Sequence, residues 1–91
     1  MIAPEYSVVI PTYGAKGVNL LARMLPILSY SCKLPHEVIV VDDGSTKEVI
    51  EELDKICVMN NAKLLHDDNN LGFAKACNAG MQMGNGNSII L

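Results

Sequence analysis

A chain of 91 residues has room for one small domain and not for two, since domains usually run to about 100–150 residues. It is 49% hydrophobic and 19% charged, with one Phe, three Tyr and no Trp, which excludes intrinsic disorder and requires an aliphatic core. A net charge of −3, with seven Lys and Arg scattered singly, provides no basic stripe for a nucleic-acid backbone.

In chain order, the first strand-sized apolar run is Ser7 to Ile10. Leu21, Met24, Leu25 and Leu28 then follow the i, i+3, i+4, i+7 spacing of a helix. Pro26 falls inside that pattern, where a missing N–H and a clash with the preceding turn predict a kink or a short second segment. Glu37 to Val41 follows. Val38, Ile39, Val40 and Val41 are apolar at consecutive positions, as in an inner strand of a parallel sheet covered on both faces. Ser45 with Glu48 three residues on reads as a capping box that starts the second helix near Thr46. Val49, Ile50, Leu53, Ile56 and Cys57 continue it at helical spacing. Lys63 to His66 is a third strand. Phe73, Ala74, Cys77 and Met81 mark a third helix, which Gly84-Asn85-Gly86-Asn87 ends before a last strand, Ser88 to Leu91.

The order β-α-β-α-β-α-β predicts an α/β fold: an open, mostly parallel sheet of about four strands with helices on both faces. Ligands of such sheets bind beyond the carboxyl ends of the strands. Three loops stand there: Pro11-Thr12-Tyr13-Gly14, Asp42-Asp43-Gly44-Ser45 and Asp67-Asp68-Asn69-Asn70. The first lacks the spaced glycines of a dinucleotide fingerprint, and no phosphate-cradling P-loop sequence occurs. A nucleotide would therefore be held mainly by its base and ribose. Because successive strand residues point to opposite sides, Asp42 and Asp43 should diverge, so that only one faces a given ligand. A carboxylate there could accept the imide N–H of uracil or thymine. Alternatively, both acids satisfy loop and helix-start amides.

Three blocks give the chain a relationship. Ser7-Val8-Val9-Ile10-Pro11-Thr12-Tyr13, Val38-Ile39-Val40-Val41-Asp42-Asp43-Gly44-Ser45 and Asn70-Leu71-Gly72-Phe73-Ala74-Lys75-Ala76-Cys77-Asn78-Ala79-Gly80 together resemble the N-terminal half of family 2 glycosyltransferases. The third block is nearest to rhamnosyltransferase-like members. The resemblance implies the Rossmann-like, nucleotide-binding half of a GT-A fold over residues 1–91. It also implies an inverting enzyme of hexosyl- or rhamnosyltransferase type, which moves a sugar from a UDP- or dTDP-sugar to an acceptor hydroxyl on a glycan or lipid-linked saccharide. Carried over by residue, Pro11, Thr12 and Tyr13 line the nucleoside pocket, Asp43 contacts the base and Asp42 is a supporting neighbour. Asn70, Gly72 and Asn78 close the nucleotide site, with Gly72 and Gly80 allowing close backbone approach. Gly14 stands where Asn or Asp often follows the Tyr, and Cys77 where Arg often precedes the Asn.

The family's metal-binding Asp-x-Asp segment is expected after the strand ending at Leu91, where it would hold Mg²⁺ or Mn²⁺ against the leaving diphosphate. No catalytic residue and no metal ligand is therefore expected within this chain, and the fragment alone should not transfer sugar. The alternative is a stand-alone α/β binding or interaction module without chemistry.

Other features carry less. His66, Asp67 and Asp68 suit a strand-end turn better than a metal site, and His36 enters its strand at the end opposite the candidate site. Lys16 and Lys75 are the cations nearest the loops and read as solvated helix charges. Tyr13 either stacks on a base or packs into the core. Cys32, Cys57 and Cys77 are odd in number and set among apolar neighbours, which predicts buried thiols rather than disulfides or a zinc site. With no signal peptide and no run of about 18 apolar residues, the chain is expected to be soluble and cytoplasmic, with the cytoplasmic face of a membrane as an alternative place for its parent enzyme. Its last strand is expected to favour self-association through an unpaired edge or an apolar surface.

Overall fold

The computed structural model describes residues 6–31, 36–67, 72–84 and 87–90. Strand β1 spans Tyr6–Thr12, helix α1 Gly14–Ser31, β2 His36–Asp43, α2 Lys47–Met59, β3 Lys63–Asp67, α3 Phe73–Met83 and β4 Asn87–Ile90. The order is the one read from the sequence, but β1, β2 and β3 run one or two residues further at their carboxyl ends. That extension is made by pairing: Thr12 opposite Asp42, and Asp43 opposite Asp67. Polar strand ends are held by the ladder even where the apolar pattern stops.

All pairings are parallel, in the order β3-β2-β1-β4. The crossovers through α1 and α2 step in one direction, from β1 to β2 to β3, and the crossover through α3 returns past both to β4. Right-handed connections then place α1 and α2 on one face and α3 on the other. The packing agrees. Val8, Ile10, Val38 and Val40 bury against Val18, Leu21 and Leu25 of α1 and Leu53 and Cys57 of α2. Val9, Ile39 and Val41 bury against Ala76 of α3. The consecutive apolar run of β2 serves both layers, even-numbered residues facing one and odd-numbered residues the other.

Two local expectations are corrected. Helix α1 passes through Pro26 as one element, so the short second segment does not form. Pro26 and Ala22, whose carbonyl loses its partner, both stand on the exposed side, where water can replace the missing bond, while Val18, Leu21 and Leu25 pin the opposite face. The capping box does not form either. Thr46 is the N-cap of α2 with no side-chain cap bond, and the Ser45 hydroxyl is engaged with Asp42. At its other end α2 closes in a Schellman turn: Asn61 is left-handed (φ 56°), and Ala62 N–H bonds the Cys57 carbonyl at 2.8 Å.

Gly80 sets how closely α3 lies on the sheet. A Cβ there would stand 2.5 Å from Val9 Cγ1 and 2.8 Å from Val41 Cγ2, far inside contact distance, so the absent side chain lets the helix backbone rest on the valines. Among the described residues no helix is long and apolar enough to cross a membrane.

Candidate functional site

The strand order reverses between β1 and β4, so the crevice beyond the carboxyl end of β1 is where an open α/β sheet offers a ligand site. An open cleft of about 240 Å³ lies there, lined by Pro11, Thr12, Tyr13, Asp43 and Ala76. The first four are residues that the sequence singles out. Ala76 is not: it comes from α3, and an alanine inside a helical pattern carries no chemical signal. Tyr13, 61% exposed, is at the cleft and not in the core.

The two adjacent acids diverge as strand geometry requires. Asp43 belongs to the Ile39, Val41 side of β2, the α3 face; its Oδ2 accepts the Gly72 N–H at 2.9 Å. Gly72 is the N-cap of α3 with φ 91°, a conformation glycine adopts readily, and a Cβ there would meet nothing within 4 Å. That backbone angle is by itself a reason for glycine here. The bond ties the carboxylate to the helix start, where the N-terminal dipole favours negative charge.

Asp42 points the other way and is completely buried, at 0% exposure. Its Oδ1 accepts the Ser45 hydroxyl at 2.6 Å, and its Oδ2 accepts the Ser45 N–H at 3.0 Å. His66 Nδ1 lies 2.9 Å from the same Oδ2. An ionised carboxylate only accepts, so Nδ1 carries the hydrogen in this contact. Both oxygens of Asp42 thus serve the fold, and Asp42 does not line the cleft. His66 joins this network, a role its neighbours in sequence do not reveal because Asp42 is 24 residues away.

Of the remaining candidates, Asn78 is exposed on α3 and is not among the cleft-lining residues. Asn70 and Asp68 lie outside the described residues. Lys16 and Lys75 are exposed on their helices. Among the described residues no group of three or more His, Cys, Asp or Glu could hold a metal ion. The two acids of β2 do not converge on one, since Asp42 is engaged by Ser45 and His66 and Asp43 points to the opposite face. Cys57 is buried on the α2 side; burial, and secondarily Asp54, pushes its thiol up to about 11, which makes it a core filler and not a nucleophile.

A parallel α/β sheet whose carboxyl edge carries an acid-lined cleft beside a strand reversal is an architecture of nucleotide-binding enzymes. The chain belongs to glycosyl transferase family 2, whose family model matches residues 7–91, and its sheet and helices form the N-terminal region of a GT-A fold. It is 33% identical over 90 residues to the uncharacterized glycosyltransferase sll0501 of Synechocystis sp., covering 94% of this chain and 28% of that protein. S. aureus TarS 1–349 in complex with UDP superposes with a TM-score of 0.75 at 26% identity, over 96% of this chain and 26% of that one. The complex of the same protein with UDP-GlcNAc gives 0.73 at 27% identity, with the same coverage. The mannosyltransferase PcManGT of Pyrobaculum calidifontis, in complex with GDP-Man and Mn²⁺, shares the fold with a TM-score of 0.65 at 24% identity, over 89% of this chain and 24% of that one. The chain therefore spans about a quarter of the length of these relatives.

Proposed function

We propose that residues 1–91 are the nucleotide-sugar-binding part of an inverting glycosyltransferase whose donor carries uracil or thymine. The observation that carries this reading is Asp43, a carboxylate held by the Gly72 N–H at the wall of a cleft that Pro11, Thr12, Tyr13 and Ala76 also line. A carboxylate has about four acceptor positions, so the bond to Gly72 fixes its direction while it still accepts from a ligand. Uracil and thymine present an imide N–H to such an acceptor. Cytosine presents a lone pair at the same position and is repelled. The exposed Tyr13 ring stacks on the base and Pro11 and Thr12 flank it, while Asn70 and Asn78 are assigned to the closing side of the nucleotide. The UDP and UDP-GlcNAc complexes of TarS support a uridine nucleotide.

Sugar transfer needs a general base on the acceptor hydroxyl and charge stabilisation for the leaving diphosphate. The family resemblance assigns these tasks, including the Mg²⁺ or Mn²⁺ site, to residues outside this chain. The acceptor, a glycan or lipid-linked saccharide, and the hexosyl or rhamnosyl nature of the sugar are read from family resemblance. Calorimetric titration with UDP, dTDP, GDP and CDP tests the proposal. UDP and dTDP are expected to bind more tightly than CDP, with the preference lost in Asp43→Ala; equal, weak binding of all four by the unaltered chain contradicts it.

A further inference from the structure

One residue from Asp43, a fully buried carboxylate and the serine three residues after it meet a histidine from β3 and an amide from the start of α1, a convergence that nucleotide contact does not explain. Their geometry forms a chain with a definite direction. The Gly14 N–H donates to Ser45 Oγ at 2.8 Å. A hydroxyl has a single hydrogen, so Ser45 must give its own to Asp42 Oδ1, as the 2.6 Å contact shows. His66 Nδ1 and the Ser45 N–H close on the other carboxylate oxygen. Segments at the carboxyl ends of β1, β2 and β3 are thereby joined through one buried anion.

Gly14 is the point where this chain meets the cleft. It is the first residue of α1, follows Tyr13 directly and has φ 74°, a left-handed conformation that glycine, or with more strain Asn or Asp, can hold. The first N–H of a helix has no partner within the helix. Ser45 supplies one from 31 residues away, so the serine that reads as the cap of α2 caps α1 instead. Because the acceptor is anchored to a charged group, the bond is stronger than a neutral serine cap.

We propose that Ser45, oriented by Asp42 and His66, is a positioning residue for the nucleoside cleft: it fixes the Tyr13–Gly14 peptide, and through it the Tyr13 ring, without touching the ligand. The proposal rests on the nucleotide reading of the cleft. It assigns to the Asp42 side of β2 the rigidity of the site, and to the Asp43 side its base preference.

The test compares the unaltered chain with Ser45→Ala, which removes the bridging oxygen, and Ser45→Thr, which keeps it. Two quantities are measured: hydrogen exchange of the Gly14 amide relative to the core amide of Val40, and UDP and CDP affinity. The expected result is that Ser45→Ala speeds Gly14 exchange selectively and weakens both nucleotides about tenfold with their ratio unchanged, while Ser45→Thr restores both quantities. Unchanged UDP affinity in Ser45→Ala overturns the proposal. So does a loss of affinity accompanied by equal acceleration of Gly14 and Val40, since that is general destabilisation. Absence of UDP binding in the unaltered chain overturns the nucleotide reading and the proposal with it, whereas unchanged Gly14 exchange in Ser45→Ala overturns the positioning role alone.

Discussion

Asp42 and Asp43 are neighbours of the same chemistry at the end of the same strand, yet their surroundings differ in every respect that matters. Asp42 faces the α1 and α2 side, is completely buried and has both oxygens occupied by Ser45 and His66. Asp43 faces the α3 side, is 8% exposed, and combines a bond to Gly72 with a place in the cleft wall. A one-residue step along a strand changes the face, and the face decides which partners a carboxylate meets. Two acidic residues in a loop are thus not two copies of one site; one is held within the fold and the other stands in the cleft wall.

Substitutions should separate the two roles, with the largest effect on stability at Asp42. Asp42→Ala takes the shared acceptor from the half-buried Ser45 N–H, Ser45 hydroxyl and His66 ring, and is expected to cost about 2–3 kcal/mol in denaturant unfolding. For so small a domain that is a large fraction of the total stability. Gly80→Val attacks the seating of α3 on Val9 and Val41, with an expected loss of about 1–3 kcal/mol and a shift of Ala76 and Gly72 away from Asp43 that weakens nucleotide binding too. Asp43→Ala should cost only about 1 kcal/mol of stability while erasing the preference for UDP over CDP in titration. Asp42→Ala, if it folds, should weaken both nucleotides.

The smallest expected effect is at Cys57, far from both acids. Its thiol is raised from 9.0 to about 11 in the folded chain, so the fold favours the protonated form. The resulting stabilisation is fully present below pH 9 and is lost as pH rises through about 11. At about pH 8, where the unfolded thiol begins to ionise, Cys57 is expected to resist iodoacetamide in the native chain and to react on unfolding, as mass spectrometry of the labelled peptide would show.

The layers of the fold were legible because they depend on short periods. The run Val38–Val41 declared a strand covered on both sides, and the 3.6-residue spacing of Leu21, Leu25 and Leu53 with their apolar neighbours declared the helices that cover it. The divergence of Asp42 and Asp43 followed from the two-residue period of a strand. What could not be read were the partners. Ser45 and Glu48 satisfied a local capping rule, but the Ser45 hydroxyl bonds Gly14, 31 residues away, and a tertiary partner beside a buried anion outweighs a local cap. His66 stood beside two aspartates in sequence and bonds a third, on the neighbouring strand. Ala76 entered the cleft wall through the register of α3 on the sheet, which no property of alanine announces. Pro26 broke the expected pattern without breaking the helix, since only packing reveals that it lies on the solvent side.

The division of labour between the two acids is tested most directly by amide chemical-shift mapping of the chain during titration with UDP. The account predicts saturable shifts at Thr12, Tyr13, Asp43, Gly72 and Ala76, with the core of the α1 and α2 face, represented by Leu25 and Leu53, unmoved. Shifts centred on that face, or shifts at the cleft that persist undiminished in Asp43→Ala, would contradict it.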